Sequence, residues 1–297
     1  MKNIGILTSG GDSPGMNYII NGVLNAAFIY KFNIFGIFNG YKGLYENKII
    51  QIKNYKLLNL NNNGGTFLGS SRFKKFKNEN IICKSINNLK KKKINSIIII
   101  GGNGTYIGSK YLIKKKISCI NLPGTIDNDI LYTDYSIGYF TALNTIVESI
   151  DNIRDTAYSH ECIFIIEVMG RNCGKLTIAA AIAGKCEFFI IPEIKFNINN
   201  LINEIKLKIL NGLKNAIIII TENIYNIQKF SKYIKKKIKK QIKTVILGYI
   251  QRGGKPVVYD RILGYSMGTY AIKLIYKGYK NICIGIKNNK LINYNII

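Results

Sequence analysis

Short apolar runs of strand length alternate with longer stretches of helical periodicity from one end of the 297-residue chain to the other. The apolar runs at residues 4–7, 33–38, 96–100, 118–122, 162–168, 187–191, 216–220, 244–249 and 282–286 predict strands. Helices are predicted in most of the gaps, at 15–27, 105–116, 136–155, 172–183 and 259–276 among others. This alternation predicts an α/β protein built on parallel sheet, because parallel neighbours need a crossover and a helix usually supplies it. Nine strands are more than one doubly wound domain usually needs, so two α/β lobes are expected. No repeat, linker or low-complexity tail marks a boundary between them.

Ligands of open α/β sheets sit beyond the carboxyl ends of the strands, so the residues after each strand are the candidates for chemistry. After the first strand comes Thr8-Ser9-Gly10-Gly11-Asp12-Ser13-Pro14-Gly15-Met16-Asn17. Its glycines let backbone N–H groups approach a phosphate, and the following helix N-terminus adds positive potential; an ordinary tight turn would look the same. A second candidate cradle, Gly101-Gly102-Asn103-Gly104-Thr105-Tyr106-Ile107-Gly108, follows the strand at 96–100. It lacks the dinucleotide spacing. There is no Walker A loop either, since Gly174-Lys175 is followed by Leu176 and its first glycine position is Met169.

The strand at 118–122 runs into Pro123-Gly124-Thr125-Ile126-Asp127-Asn128-Asp129. Two carboxylates two residues apart, Asp127 and Asp129, suit phosphoryl transfer: one can accept a proton from an attacking hydroxyl and the other can hold Mg²⁺. An Asp-rich turn is the plainer reading, but a turn requires neither Thr125 nor both aspartates at a strand end. Val168-Met169-Gly170-Arg171, Thr221-Glu222 and Gly248-Tyr249-Ile250-Gln251-Arg252-Gly253-Gly254 follow three further strands. Arginines at strand ends, beside two glycine cradles, form a candidate phosphate-binding set.

Composition narrows the partners. Hydrophobic residues make up 47% of the chain, enough for a sizeable core. The longest apolar runs are strand-sized, well short of the roughly 18 residues of a membrane span. The chain enters a strand at once, so no signal peptide is expected. Six cysteines lack paired spacing, which predicts reduced thiols and a cytoplasmic location rather than disulfides or a metal site. The net charge of +27 raises a nucleic-acid reading. The lysine runs at 90–93, 114–116 and 235–237, however, end helical segments, where they face water and complement the helix dipole. Lysine, asparagine and isoleucine are abundant everywhere, so neither nucleic acid nor membrane is expected as a partner. The charge favours phosphorylated substrates in general. His160, the single histidine, precedes a strand and is expected to be structural.

Together these motifs make the chain resemble the bacterial ATP-dependent 6-phosphofructokinases over essentially its whole length. The segments that carry the resemblance are residues 4–12, Gly64-Gly65-Thr66-Phe67-Leu68-Gly69-Ser70-Ser71-Arg72-Phe73, 123–129, Glu167-Val168-Met169-Gly170-Arg171 and Gln251-Arg252-Gly253-Gly254. The resemblance implies two similar Rossmann-like lobes with mainly parallel sheets, the phosphofructokinase fold. Residues 1–138 plus 251–297 would form a larger ATP-binding domain and 139–250 a smaller sugar-phosphate-binding domain. It implies transfer of the γ-phosphoryl of MgATP to the 1-hydroxyl of fructose 6-phosphate, in glycolysis, by a homotetramer whose sugar-phosphate site is shared across an interface. By the same resemblance Asp127 takes the hydroxyl proton, Thr125 orients the sugar, and Gly11, Arg72 and Arg171 hold the transferring phosphoryl. Phe73, Gly102, Asn103, Gly104, Thr105 and Gly108 line the ATP site with Gly11 and Arg72. Ile126, Cys162, Met169, Gly170, Glu222, Lys243, Tyr249 and Arg252 belong to the sugar-phosphate site. Pyrophosphate-using relatives carry Asp and Lys where this chain has Gly104 and Gly124, so the donor is expected to be ATP.

The chain departs from the family pattern in places. Asn103 stands where the family has an aspartate that helps hold Mg²⁺, leaving Asp129 as the main local carboxylate for the metal. Cys162, Lys243 and Tyr249 replace Arg, Arg and His around the sugar 6-phosphate, which predicts a raised KM. At the inter-subunit effector site five cationic positions read Asn21, Asn25, Asn54, Asn211 and Leu213, while Arg154 and Glu187 remain. Loss of control by ADP or phosphoenolpyruvate is therefore expected. Two alternatives stand beside this reading: a related sugar-phosphate kinase with drifted substrate or phosphoryl donor, and a basic or catalytically weak scaffold on the same fold. The second predicts loss of Asp127, Thr125 and Arg171, and all three are present.

Overall fold

A computed structural model describes residues 2–53 and 63–296. In chain order the first elements are β1 (Asn3–Thr8), α1 (Met16–Ile29), β2 (Asn33–Ile37), α2 (Gly40–Tyr45), β3 (Ile49–Gln51), α3 (Glu79–Lys91), β4 (Ile94–Gly101), α4 (Asn103–Lys114) and β5 (Ser118–Pro123). Then follow α5 (Tyr139–Ser159), β6 (Ile163–Val168), α6 (Lys175–Ala183), β7 (Phe188–Ile190), α7 (Ile198–Leu210), β8 (Ala216–Thr221), α8 (Ile227–Ile238) and β9 (Ile242–Ile246). The last are α9 (Val258–Tyr276), β10 (Ile282–Lys287) and β11 (Lys290–Asn295).

The chain divides into two compact units, Met1–Thr141 with Arg252–Ile297, and Ala142–Gln251. The larger contains a seven-stranded sheet in the order β11-β10-β5-β4-β1-β2-β3, parallel except for β3 and β11 at its edges. The smaller contains a wholly parallel four-stranded sheet, β7-β8-β6-β9.

The isoleucine runs explain the parallel centres. Ile97 to Ile100 of β4 and Ile217 to Ile219 of β8 are fully buried, as a strand covered on both faces requires. One core cluster of the larger unit joins Ile6, Ile98, Ile100 and Ile120 to α1 and α9. Another joins Leu7, Ile97, Ile99 and Cys119 to side chains of α2, α3 and α4. In the smaller unit α8 buries Ile227, Phe230, Ser231 and Ile234, one stripe of a helix whose other face carries lysines. Asparagine serves the helix starts: the side chains of Asn78, Asn197 and Asn226 accept N–H bonds at the first turns of α3, α7 and α8.

Several predicted boundaries move. β3 and β11 add two strands; their short or alternating polar sequences lack an apolar run. The strand expected at 244–249 instead spans Ile242–Ile246, and Gly248–Arg252 forms a 3-10 turn entered through a left-handed Gly248 with φ 52°. The helix expected from residue 172 begins at Lys175, after a turn in which Arg171 is left-handed. The strand expected at 187–191 is reduced to Phe188–Ile190.

Two contacts shape the larger unit. α1 and α9 cross so closely that a Cβ on Gly22 would lie 2.2 Å from the Tyr265 carbonyl oxygen, and one on Gly268 would lie 2.2 Å from that of Ile19. Asp260 of α9 is buried and caps α5, accepting from Gly138 N at 3.0 Å, Thr141 N at 2.8 Å and Thr141 Oγ1 at 2.6 Å. Burial pushes its carboxyl above the usual carboxylate range, and the three bonds oppose that shift. Because both obstacles at the helix crossing are backbone atoms, Gly268→Ala should force the helices apart. The expected loss is about 1–3 kcal/mol of stability, read as a lower urea midpoint at unchanged slope.

Candidate active site

Three turns at the carboxyl edge of the larger sheet, after β1, β4 and β5, carry the candidate residues and are bonded to one another. Ser9 N donates to Ile100 O at 3.0 Å, and Thr105 Oγ1 donates to Ser9 O at 2.9 Å. Gly124 N donates to Gly101 O at 3.1 Å. The segment before Arg72 closes over the first turn. Thr8 Oγ1 donates to Gly69 O at 2.7 Å, Ser70 Oγ to Gly10 O at 3.1 Å, and Gly10 N to Ser71 O at 3.3 Å. Arg72 itself is exposed, whereas Phe73 is half-buried near Tyr45 and Phe76. Gly11 has the Arg252 guanidinium against it, with Nη1 3.3 Å from the place a Cβ would occupy. Arg252 thereby lies against the glycine turn after β1.

In the second cradle, Gly102 caps α4 and Asn103 and Gly104 are exposed, with nothing within 4 Å of a Cβ placed on Gly104. Thr105 is buried, its hydroxyl committed to Ser9 and its carbonyl accepting from Tyr41 Oη at 2.6 Å. Gly108 is buried too, and its missing side chain leaves room for the Tyr41 ring, only 2.4 Å from a built Cβ. Both residues therefore brace the cradle from below. Gly124 differs from Gly104: a Cβ there meets Ile100 Cγ2 and Met16 Cε at 2.9 Å each. Space for a bulky group exists at Gly104 and not at Gly124.

The loop after β5 is held by its own chain. Asp127 N donates to Thr125 Oγ1 at 3.2 Å, and Ser136 Oγ donates to Thr125 O at 2.7 Å. Asn128, left-handed at φ 49°, accepts from Ser136 N at 2.9 Å and donates to Asp134 O at 2.9 Å. Ile126 and Asp127 are buried. Asn103 Nδ2 donates to Asp129 Oδ2 at 2.8 Å, so the two candidate metal-side residues are in contact. Tyr41 and Ser136, which organise these turns, carry no motif that singles them out.

In the smaller unit, Met169, Gly170, Arg171 and Glu222 lie at the carboxyl edge of the sheet. Glu222 N donates to Val168 O at 2.8 Å, joining the ends of β6 and β8. Met169 is buried, with its N–H on Gln251 Oε1 at 3.0 Å. Gln251 is itself fully buried and donates to Gly248 O at 3.0 Å, which fixes the 3-10 turn that presents Tyr249, 79% exposed. Its place in the Gln-Arg-Gly-Gly segment was the only sequence signal for it. Gly170 has φ 142° and Arg171 φ 54°, and the Arg171 side chain is exposed. Burial, and then the Glu222 carboxylate, raises the Glu167 carboxyl above its ordinary value.

Cys162 and Lys243 are not on that edge. Cys162 precedes β6 and is fully buried, and Lys243 is the second residue of β9, paired in register with Phe164. The two lie together at the amino edge of the sheet. Among the effector-site positions, Arg154 donates to Glu187 Oε1 at 3.0 Å and to Gly184 O and Lys185 O at 2.7 Å each. Glu187 also accepts from Ile217 N at 2.6 Å. Asn211 is exposed beyond α7, Leu213 is half-buried, and Asn25 Nδ2 reaches Tyr265 Oη at 3.5 Å; Asn21 lies a turn earlier on α1, and Asn54 lies outside the described residues. No helix among the described residues is long and apolar enough to cross a membrane.

Comparison with known proteins places the chain in a family. The family model described as "Phosphofructokinase" matches residues 3–275. The ATP-dependent 6-phosphofructokinase of Erwinia tasmaniensis is 52% identical over 297 residues, covering 100% of this chain and 93% of the relative. Its counterpart from Buchnera aphidicola subsp. Schizaphis graminum is 53% identical over 292 residues, covering 98% of this chain and 91% of the relative. Among solved structures, Saccharomyces cerevisiae phosphofructokinase superposes with a TM-score of 0.89 at 29% identity; all of this chain is covered, which spans 45% of the yeast chain. A pyrophosphate-dependent phosphofructokinase from Nitrosospira multiformis shares the fold, with a TM-score of 0.89 at 20% identity over 99% of this chain and 83% of the other. By family model and by relatives matched along its whole length, the chain belongs to the phosphofructokinase family.

Proposed function

We propose that this chain is an ATP-dependent 6-phosphofructokinase, transferring the γ-phosphoryl of ATP to the 1-hydroxyl of fructose 6-phosphate. The observation that carries this reading is the braced Thr125–Asp129 loop beside two glycine turns on one sheet edge. Asp127 takes the proton of the attacking hydroxyl, and Thr125 fixes the Asp127 backbone and faces the sugar. The backbone N–H of Gly11 and the guanidinium groups of Arg72 and Arg171 meet the charge that spreads over the transferring phosphoryl. Arg252 and Tyr249 take the sugar 6-phosphate, while Met169, Gly170 and Glu222 contact the sugar. Mg²⁺ fits Asp129 with Asn103 beside it, since kinase sites hold this ion through one or two carboxylates, phosphates and water. When bound, the ion shields the charge of the terminal phosphates. The proposed location is cytoplasmic, in glycolysis.

The positions of Cys162 and Lys243 favour an oligomer. β6 runs for six residues between Cys162 and Met169, a rise of about 20 Å, which is longer than a sugar phosphate. Residues at both edges serve the same kind of site only if the amino edge, where Lys243 is partly exposed above the buried Cys162 position, meets a neighbouring subunit's substrate, as in a homotetramer. The closed Arg154–Glu187 pair, its donors spent on local carbonyls, supports an effector site without its usual control.

Asp127→Asn should lower kcat by about 10²–10⁴-fold with a much smaller change in KM for either substrate; steady-state kinetics with MgATP and fructose 6-phosphate decides this. An equal rise in KM at near-normal kcat would contradict the assignment of the base. Gly104→Asp should weaken ATP binding at least tenfold while stability stays within about 0.5 kcal/mol, because its side chain enters open space. Gly124→Lys should instead lower the melting temperature.

Cys162→Arg should lower KM for fructose 6-phosphate by roughly tenfold, the worth of one hydrogen bond to a charged group. Lys243→Ala should raise it by a similar factor. Both are read on enzyme whose assembly and melting have been measured. If neither substitution moves KM, the amino edge of the smaller sheet has no part in substrate binding.

A further inference from the structure

The turn after β4 and the loop after β5 are joined by one side-chain pair at their exposed rim. Asn103, the first residue of α4, donates from Nδ2 to Asp129 Oδ2 at 2.8 Å and to the Asp129 carbonyl oxygen at 3.3 Å. Asn103 is exposed and Asp129 half-buried. The amide is neutral, and it faces the carboxylate with its donor rather than its acceptor. A divalent cation approaching that carboxylate needs the same oxygen. The amide and the cation therefore compete for Asp129.

We infer that Asn103 is a neutral clip, a positioning residue that holds Asp129 in place while no cation is bound and that a divalent cation must displace. The inference rests on the proposed role of Asp129 as the metal-side carboxylate. Its physical content lies in what each residue at position 103 would do. An aspartate there would set two carboxylates at hydrogen-bond distance, which repel unless a cation stands between them. The two turns would then be joined only in the metal-bound state, and cation affinity would be high. An asparagine joins the turns without a cation, removes one negative charge from the metal side of the site, and lowers affinity for the free cation. The site then takes its metal chiefly as the preformed metal–nucleotide complex, and it tolerates the metal-free nucleotide better than a paired-carboxylate site would.

The experiment measures Mn²⁺ binding to nucleotide-free enzyme by electron paramagnetic resonance, for the wild type, Asn103→Ala and Asn103→Asp. The clip predicts that Asn103→Ala binds Mn²⁺ about 3- to 10-fold tighter than wild type, since it releases a carboxylate from one exposed charge-assisted hydrogen bond. Asn103→Asp should bind tighter still. The sign of the alanine result is decisive, because an amide acting as a cation ligand would give weaker binding on removal. Unchanged or weaker Mn²⁺ binding by Asn103→Ala overturns the clip. As a second readout, calorimetry with ATP in excess chelator should show at least tenfold weaker binding by Asn103→Asp than by wild type, and equal binding overturns the charge argument. Turnover of the wild type at saturating Mg²⁺ is assayed alongside. Its absence would overturn the kinase reading whichever way Mn²⁺ binding goes. Its presence with a failed Mn²⁺ order would overturn the clip alone.

Discussion

The in-register parallel pairing of β4 with β1 on one side and β5 on the other is the constraint on which the larger unit depends. It brings three turns to one edge of the sheet. Two of them are glycine-bearing, and the third carries the aspartates. Each turn is bonded to its neighbour through backbone groups, Ser9 to Ile100 and Gly124 to Gly101. The buried isoleucines of β4 hold this register, because a slip of one residue would exchange the side chains that face the two layers of helices. The chemistry is thus positioned by the core, and the polar residues at the edge need only short reach.

Much of this was legible in the chain. Isoleucine runs without alternation mark strands covered on both faces, and they located the centres of both sheets. The aspartate loop and the glycine turns stood out because they follow such runs directly. Less legible were features set by tertiary contact. Gly108 reads as part of a phosphate cradle but is buried beneath Tyr41, a residue some seventy positions earlier with no motif of its own. Cys162 reads as one of several residues near a sugar phosphate, yet it lies at the opposite edge of its sheet from Met169. β11 and β3 have no apolar run because each is an edge strand with one neighbour. Gln251 carries a fully buried amide network that only the fold reveals.

Composition and architecture also account for the large positive charge. The lysine runs sit in or just past the last turns of α3, α4 and α8, where carbonyls point to solvent and carry partial negative charge. Within the smaller unit, by contrast, the half-buried Arg154 bonds locally to Glu187 and two carbonyls, so its guanidinium is engaged in structure. The chain therefore has abundant charge at helix ends and little uncommitted charge among the remnants of its effector positions.

The helix ends carry a further consequence. Lys93, Lys116 and Lys239 adopt left-handed backbone after α3, α4 and α8, positions that glycine fills without strain. Lys31 and Lys185 do the same after α1 and α6. Each such residue costs on the order of 1 kcal/mol relative to a residue without a Cβ. Five of them together approach the margin that separates a folded domain from its unfolded ensemble. Such a molecule keeps a larger unfolded fraction as temperature rises than one with an unstrained residue at each of these five places.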